Sequence, residues 1–252
     1  MISAMRGDGE AGGGVIEVAD LTVRFGGVTS LDGMSVTFEA GTCGLIGPNG
    51  AGKTTFFNVV SGFVRPTAGT VRAFGEDLLS MVHFRRARWG VRRTFQTEQA
   101  IEDLSVYDNV AMVHEHARLR GTSRRQDVLG AISFVGLEDE AFARVRTLGA
   151  GQRRLVEVAR AVVGRPRLVL LDEPAAGLPD DETRHLAEVI RSIPEQSGAL
   201  TILVDHDMSL VSACCDTTAV LDFGKLIASG PTAEVLRDDR VIRAYLGTAE
   251  VS

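Results

Sequence analysis

The run Gly47-Pro48-Asn49-Gly50-Ala51-Gly52-Lys53-Thr54 spaces two glycines, a lysine and a hydroxyl as G-x-x-x-x-G-K-[ST], and Thr55 follows directly. Small residues let successive backbone N–H groups turn inward around phosphate oxygens. A helix opening at the end of the run adds unpaired donors and partial positive charge. Asn49, Gly50, Ala51, Gly52 and Lys53 are therefore candidates for surrounding the phosphates of a nucleotide, with Lys53 reaching the β and γ groups. The Thr54 hydroxyl is placed to ligate magnesium, and Thr55 to add another phosphate hydrogen bond. A glycine-rich turn that merely joined a strand to a helix would not require lysine followed by threonine.

The apolar run Leu168-Val169-Leu170-Leu171 ends in Asp172-Glu173. In a parallel sheet ligands lie at the carboxyl ends of strands, so this pair can approach a nucleotide from beside the phosphate loop. Asp172 can then hold magnesium directly or through water, and Glu173 can orient or deprotonate an attacking water. Alone, two acids after an apolar strand read as a helix cap or loop; beside an intact phosphate loop the functional reading leads. His206 follows Val204-Asp205 and emerges at the same edge, where a neutral imidazole can hydrogen-bond the γ phosphate or the water. Gln96 lies where an amide can reach magnesium or water, and Phe25 can stack on a purine or belong to the core.

These side chains need a scaffold, and the hydrophobic pattern supplies one. Residues 15–25, 34–38, 42–46 and 69–74 read as strands, with a turn at Gly26-Gly27. Helices interrupted by loops are expected between about 78 and 160, the plainest at 106–118 and 124–135. Strands at 167–171 and 200–204 flank a helix at 180–193 that opens with acidic residues, an order that predicts a mostly parallel sheet with helices packed on it. A hairpin of 218–222 and 225–228 and helices at 232–237 and 241–246 close the pattern. Residues 1–14 read as a loose tail and 15–252 as one domain.

The chain has 252 residues, 44% hydrophobic and 24% charged, which is globular rather than disordered composition. Its longest apolar runs fall far short of the about 18 residues needed to cross a bilayer. Cys43, Cys214 and Cys215 suggest neither a disulfide framework nor a zinc site. With a net charge of −6 the global field does not favour nucleic acid, and none is expected as a partner; the basic runs at 85–93 and 153–154 read as a solvated face or partner contacts.

Taken in order, the motifs resemble the ATP-binding-cassette ATPase family over residues 15–246. The resemblance implies an α/β fold: a P-loop NTPase core with a mixed or parallel sheet, an N-terminal antiparallel β portion and a helical subdomain inserted at about 97–160. It implies ATP and Mg2+ as ligands, Phe25 as the base-stacking aromatic, and Gln96 as the lid residue that reaches metal and water. Glu173 becomes the principal catalytic carboxylate and His206 a sensor of the γ phosphate. The family signature falls at Leu148-Gly149-Ala150-Gly151-Gln152, where Gly149 and Gly151 present backbone donors to a nucleotide shared across a head-to-tail pair. Gly149 stands where serine is common, which removes one hydrogen bond to the γ phosphate, and Pro179-Asp180 also departs from the usual loop.

Within that family, Arg93-Thr94-Phe95-Gln96, Leu221-Asp222-Phe223-Gly224-Lys225 and Ala244-Tyr245-Leu246-Gly247 look like the ATPases of branched-chain amino-acid importers. The implied partners are a second ATPase subunit, transmembrane permeases met through residues 96–109 (Ile101, Leu104, Val106, Tyr107), and a solute-binding protein. The implied place is the cytoplasmic face of a bacterial inner membrane, as a peripheral subunit. Lipopolysaccharide-export ATPases share much of the layout, and a soluble ATP-driven clamp or nonhydrolytic interaction module is the reading from a different class.

Overall fold

The computed structural model describes residues 15–115 and 123–249. The expected tail at 1–14 and residues 116–118 of the helix expected at 106–118 lie outside them. The chain opens on a hairpin in which β1 (Ile16–Phe25) turns at Gly26-Gly27 into β2 (Val28–Phe38), pairing Phe25 with Val28. Sequence pattern starts this second strand only at Met34; a two-residue glycine turn returns the chain to pairing at once. β3 (Thr42–Ile46) and α1 (Lys53–Ser61) follow, then β4 (Ala68–Ala73) and β5 (Glu76–Asp77). The antiparallel sheet has the order β2-β1-β4-β5.

Next come α2 (His83–Trp89), β6 (Val91–Arg93), α3 (Val106–His114), α4 (Arg124–Phe134) and α5 (Ala150–Val162). β7 (Leu168–Asp172), α6 (Asp180–Ser197), β8 (Leu200–Val204) and α7 (Met208–Cys214) continue the chain. It closes with β9 (Thr217–Asp222), β10 (Lys225–Pro231), α8 (Thr232–Val235) and α9 (Asp239–Ala249). The six-stranded sheet runs β10-β9-β3-β8-β7-β6, parallel throughout except for β10.

β7 explains why its sequence is an unbroken apolar run. Leu168 and Leu170 face one core, with Phe56 and Phe57 of α1; Val169 and Leu171 face the other, with the helices. A strand covered on both faces needs no polar alternation.

Three expectations are corrected. β6 lies inside the stretch read as helical; Val-Arg-Arg carries no strand signal of its own and is fixed by pairing with β7. α7 is an additional helix, started by Asp207, whose carboxylate accepts the N–H groups of Ser209 and Leu210. α6 continues past Ile193 through Pro194 to a left-handed Gly198. Its buried face, Leu186, Ile190 and Ile193, carries it through a proline confined to the last turns.

The basic run at 85–93 is not simply a solvated face, because Arg86, Arg92 and Arg93 are all largely buried. Arg86 donates to the carbonyls of Val59, Val60 and Met81, so a cation sits on the C-terminal end of α1. The expected permease strip also changes, since Val106 is spent in the core while Ile101 remains exposed.

Candidate functional site

β3 is buried along its whole length and delivers the chain to Gly47 at the sheet's carboxyl edge. Gly47 has φ 150, and a Cβ there would stand 2.1 Å from the Leu221 carbonyl oxygen. Gly52 has φ 105, and a Cβ there would stand 2.6 Å from the Ser30 carbonyl. Both positions therefore demand glycine. α1 begins directly after Gly52 with no acidic residue in its first turn, so its free N–H groups are left for an anion.

Lys53 is buried, and its Nζ donates to the carbonyls of Gly47 (2.5 Å) and Pro48 (3.0 Å). Burial pushes the ammonium below the usual lysine range, while Glu173, Asp172 and Asp205 pull it back up. The Thr55 hydroxyl meets Ser30 Oγ at 2.7 Å, and Thr54 is exposed.

Asp172 closes β7 at 2% exposure. One carboxylate oxygen accepts Arg93 Nη2 at 2.8 Å, and the other is buried without a hydrogen-bond partner. Burial raises its carboxyl above the ordinary range, with Arg93 working in the opposite direction. Arg93 also donates to Asn58 Oδ1 at 2.7 Å and lies against the rings of Phe57 and Phe95, 5.4 and 5.0 Å from their centroids. It thus ties α1, the end of β7 and the approach to Gln96 together. Glu173 sits at φ 47, left-handed backbone that costs a side-chain-bearing residue on the order of 1 kcal/mol or more, and its N–H donates to the Val204 carbonyl at 2.8 Å.

Ser30, residues 49–55, Gln96 and Glu173 line one cavity of about 170 Å³. The phosphate loop, the lid amide and the strand-end glutamate named from sequence thus come together. His206 shares a second cavity with Glu173 and Asn49. The Asp205 carboxylate before it is buried at 1% exposure and accepts the N–H groups of His206 (2.8 Å) and Asp207 (2.9 Å). Burial pushes Asp205 up, and those two donors hold it down.

Phe25 stands exposed at the end of β1 and lines neither cavity. Gly149 and Gly151 are also apart from them, at the start of α5; the Gly149 N–H donates to Gln152 Oε1 at 3.1 Å, and Gly151 lies against Glu182. Sequence reading missed Ser30, Arg93 and Asp205. Arg93 is hidden inside a basic run, and its only cue is its nearness to Gln96.

A family model described as ABC transporter matches residues 31–176, and one described as Branched-chain amino acid ATP-binding cassette transporter matches residues 225–251. The high-affinity branched-chain amino acid transport ATP-binding protein BraF of Pseudomonas aeruginosa is 35% identical over 93% of this chain and 98% of its own length. LivG of Escherichia coli, which carries the same description, is 34% identical over 93% of this chain and 98% of its own length. The ADP conformation of MJ1267, an ATP-binding cassette of an ABC transporter, shares the fold with a TM-score of 0.81 at 24% identity, over 93% of this chain and 99% of that one. A phosphate loop joined to strand-end acids on this fold implies binding of ATP with Mg2+. Among the described residues no helix is long and apolar enough to cross a membrane. The chain belongs to the ABC transporter family, as an ATP-hydrolysing subunit related to the ATPases of branched-chain amino-acid importers.

Proposed function

We propose that the chain hydrolyses ATP to drive uptake of branched-chain or related amino acids through membrane permeases. The observation that carries the enzymatic half is the single cavity that joins residues 49–55, Gln96 and Glu173. The transport half is supported by the relatives and by the family match at the C-terminal segment.

The residues suit the ligand. The Asp172 oxygen without a partner is an acceptor that burial has already stripped of water. Mg2+ takes most of its ligands from phosphates and water, so a few protein oxygens are enough to hold it. Thr54, Gln96 and Asp172 are the groups that would hold it, and the ion supplies charge neutralisation at the terminal phosphates.

Lys53 exchanges the carbonyls of Gly47 and Pro48 for the β and γ phosphates, and the three nearby carboxylates keep its ammonium charged. Asn49, Gly50, Ala51, Gly52 and Thr55 bind phosphate oxygens, and Phe25 stacks on the base. Glu173 orients the attacking water and takes its proton, while His206 hydrogen-bonds the γ phosphate. Gly149 and Gly151 complete the site of a second copy, arranged head to tail; that neither lines the cavities at the chain's own phosphate loop supports that assignment. One cassette at 15–252, with a helical subdomain at about 97–160, docks peripherally on permeases at the cytoplasmic face through the exposed side of 96–109. A solute-binding protein delivers cargo.

Mg2+-dependent ATP hydrolysis by the purified full chain tests the chemistry. Glu173→Gln is expected to lower kcat by about a hundredfold or more, as loss of a general base does, while Mg–ATP still binds; equal turnover would refute the carboxylate assignment. Lys53→Ala should weaken phosphate binding, and unchanged nucleotide affinity would refute the loop assignment. Reconstitution with its permeases and labelled leucine tests the cargo; ATP-driven export of a lipid instead would place the chain with the lipopolysaccharide-export type.

A further inference from the structure

The chain beyond β8 reaches the phosphate loop at three points. The Leu221 carbonyl of β9 stands against Gly47, 2.1 Å from where a Cβ would lie. The Gly224 N–H, in the turn between β9 and β10, donates to the Ala51 carbonyl at 3.0 Å. The third point is Tyr245 on α9. Val241, one helical turn earlier on the same face, is buried in the larger core, where Tyr245 packs as well, so the helix is anchored there. From that anchor Tyr245 lines, with Gly47, Pro48, Asn49, Glu173 and His206, a cavity of about 500 Å³.

Burial pushes the Tyr245 phenol up to about 12, with the Gly47 backbone working against the rise and the Asp205 carboxylate adding to it. At neutral pH the group is therefore a protonated, uncharged hydroxyl. Such a group can hydrogen-bond where the loop begins without adding negative charge beside Glu173 and Asp205. The ring alone would serve packing; a buried hydroxyl on a side chain that lines the cavity of Gly47 calls for another explanation.

We propose that Tyr245 is a positioning residue of the nucleotide site, through whose hydroxyl the C-terminal helix holds Gly47 in register with Glu173 and His206. The inference rests on the ATPase reading and extends it to α9. Displacement of the loop start affects alignment of the γ phosphate with the attacking water more than ground-state grip, which is shared among all the amides of the loop.

The test is Tyr245→Phe in the full chain, which keeps the ring. A kcat lowered by about threefold or more, with KM for Mg–ATP changed less than about twofold, is expected from misalignment alone. The melting temperature should stay within about 2 °C, since the packed ring remains. Wild-type kcat in the Phe variant would overturn the proposal. A second measurement uses the native sequence, whose only tyrosines are Tyr107 and Tyr245. In chain labelled with 3-fluorotyrosine, with Tyr245→Phe identifying the signals, Mg–ATP should shift the Tyr245 fluorine resonance. An unmoved resonance in protein that hydrolyses ATP would overturn the proposal and leave the ATPase reading standing. Absence of hydrolysis in the wild type would bring down the ATPase reading, and the proposal with it.

Discussion

Replacing Arg93 by methionine tests whether the Asp172 carboxylate depends on one buried cation. Arg93 and Asp172 have side chains only 6% and 2% exposed and meet at 2.8 Å, so the change leaves a carboxylate in the core with no counter-charge within hydrogen-bond reach. Breaking one side of such a pair costs about 3–5 kcal/mol, which in a chain of this size is a fall of roughly 6–20 °C in melting temperature. The lost bond to Asn58 and the lost ring contacts contribute a part that does not vary with pH. The Asp172 part does vary. Unfolded, the carboxyl titrates near ~3.9, and in the fold burial holds it above that value. Between the two values the folded chain binds more protons than the unfolded one, so stability is fullest below the unfolded value and declines as pH rises through the folded value. Loss of Arg93 removes the main downward pull and extends this window upward. Urea unfolding of nucleotide-free protein at pH 5.5 and 7.5 should therefore show a smaller deficit at the lower pH. In Arg93→Met/Asp172→Asn that pH dependence should flatten. A deficit under about 1 kcal/mol at pH 7.5, or one that grows on acidification, refutes the reasoning.

Three further outcomes follow from other contacts. Arg86→Met strips a charged donor from the carbonyls of Val59, Val60 and Met81 and should cost about 2–4 kcal/mol; thermal unfolding reads it, and KM for Mg–ATP should stay within about twofold because Arg86 lies at the far end of α1. Gly52→Ala forces a Cβ to within 2.6 Å of the Ser30 carbonyl at φ 105, so calorimetric titration should find Mg–ATP affinity lowered by tenfold or more, about 1.4 kcal/mol. Asp207→Ala removes the cap of α7 and should cost about 1 kcal/mol near pH 7. Because the Ser209 and Leu210 donors hold the Asp207 carboxyl below its usual range, that difference is present above the unfolded pKa and disappears as pH falls through the folded one.

The phosphate loop was legible because its chemistry is local: glycines, lysine and threonine carry their requirement in consecutive positions. The antiparallel hairpin, the parallel strands and most helices were legible for the same reason, through period and turn residues. β6 was not, since Val91–Arg93 becomes a strand only by pairing with β7. Arg93 was hidden twice over, once by lying in that strand and once by resembling the arginines around it. Arg86, seven positions earlier in the same run, is bound to α1 instead. What distinguishes the two is the element each side chain reaches across the fold, and spacing along the chain does not encode that. Tyr245 is the same kind of case, since its place beside Gly47 depends on how α9 docks.

Backbone strain separates structural exceptions from functional ones. Among the described residues, five other than glycine have positive φ: Asp20, Phe74, Arg165, Glu173 and Phe223. Phe74 and Phe223 each precede a glycine in a two-residue hairpin turn, where left-handed backbone matches the twist of the strands. Asp20 falls in the irregular pairing of β1, and Arg165 in the short link between α5 and β7. Glu173 has no such local reason. It follows a strand whose every residue is buried, is held by the Val204 carbonyl, and opens onto the cavity that contains the phosphate loop. Asn or Gly would relieve the backbone there, yet neither could act as the base proposed for Glu173. The strain at Glu173 therefore supports the role proposed for its carboxylate, and it singles out that residue without reference to any motif.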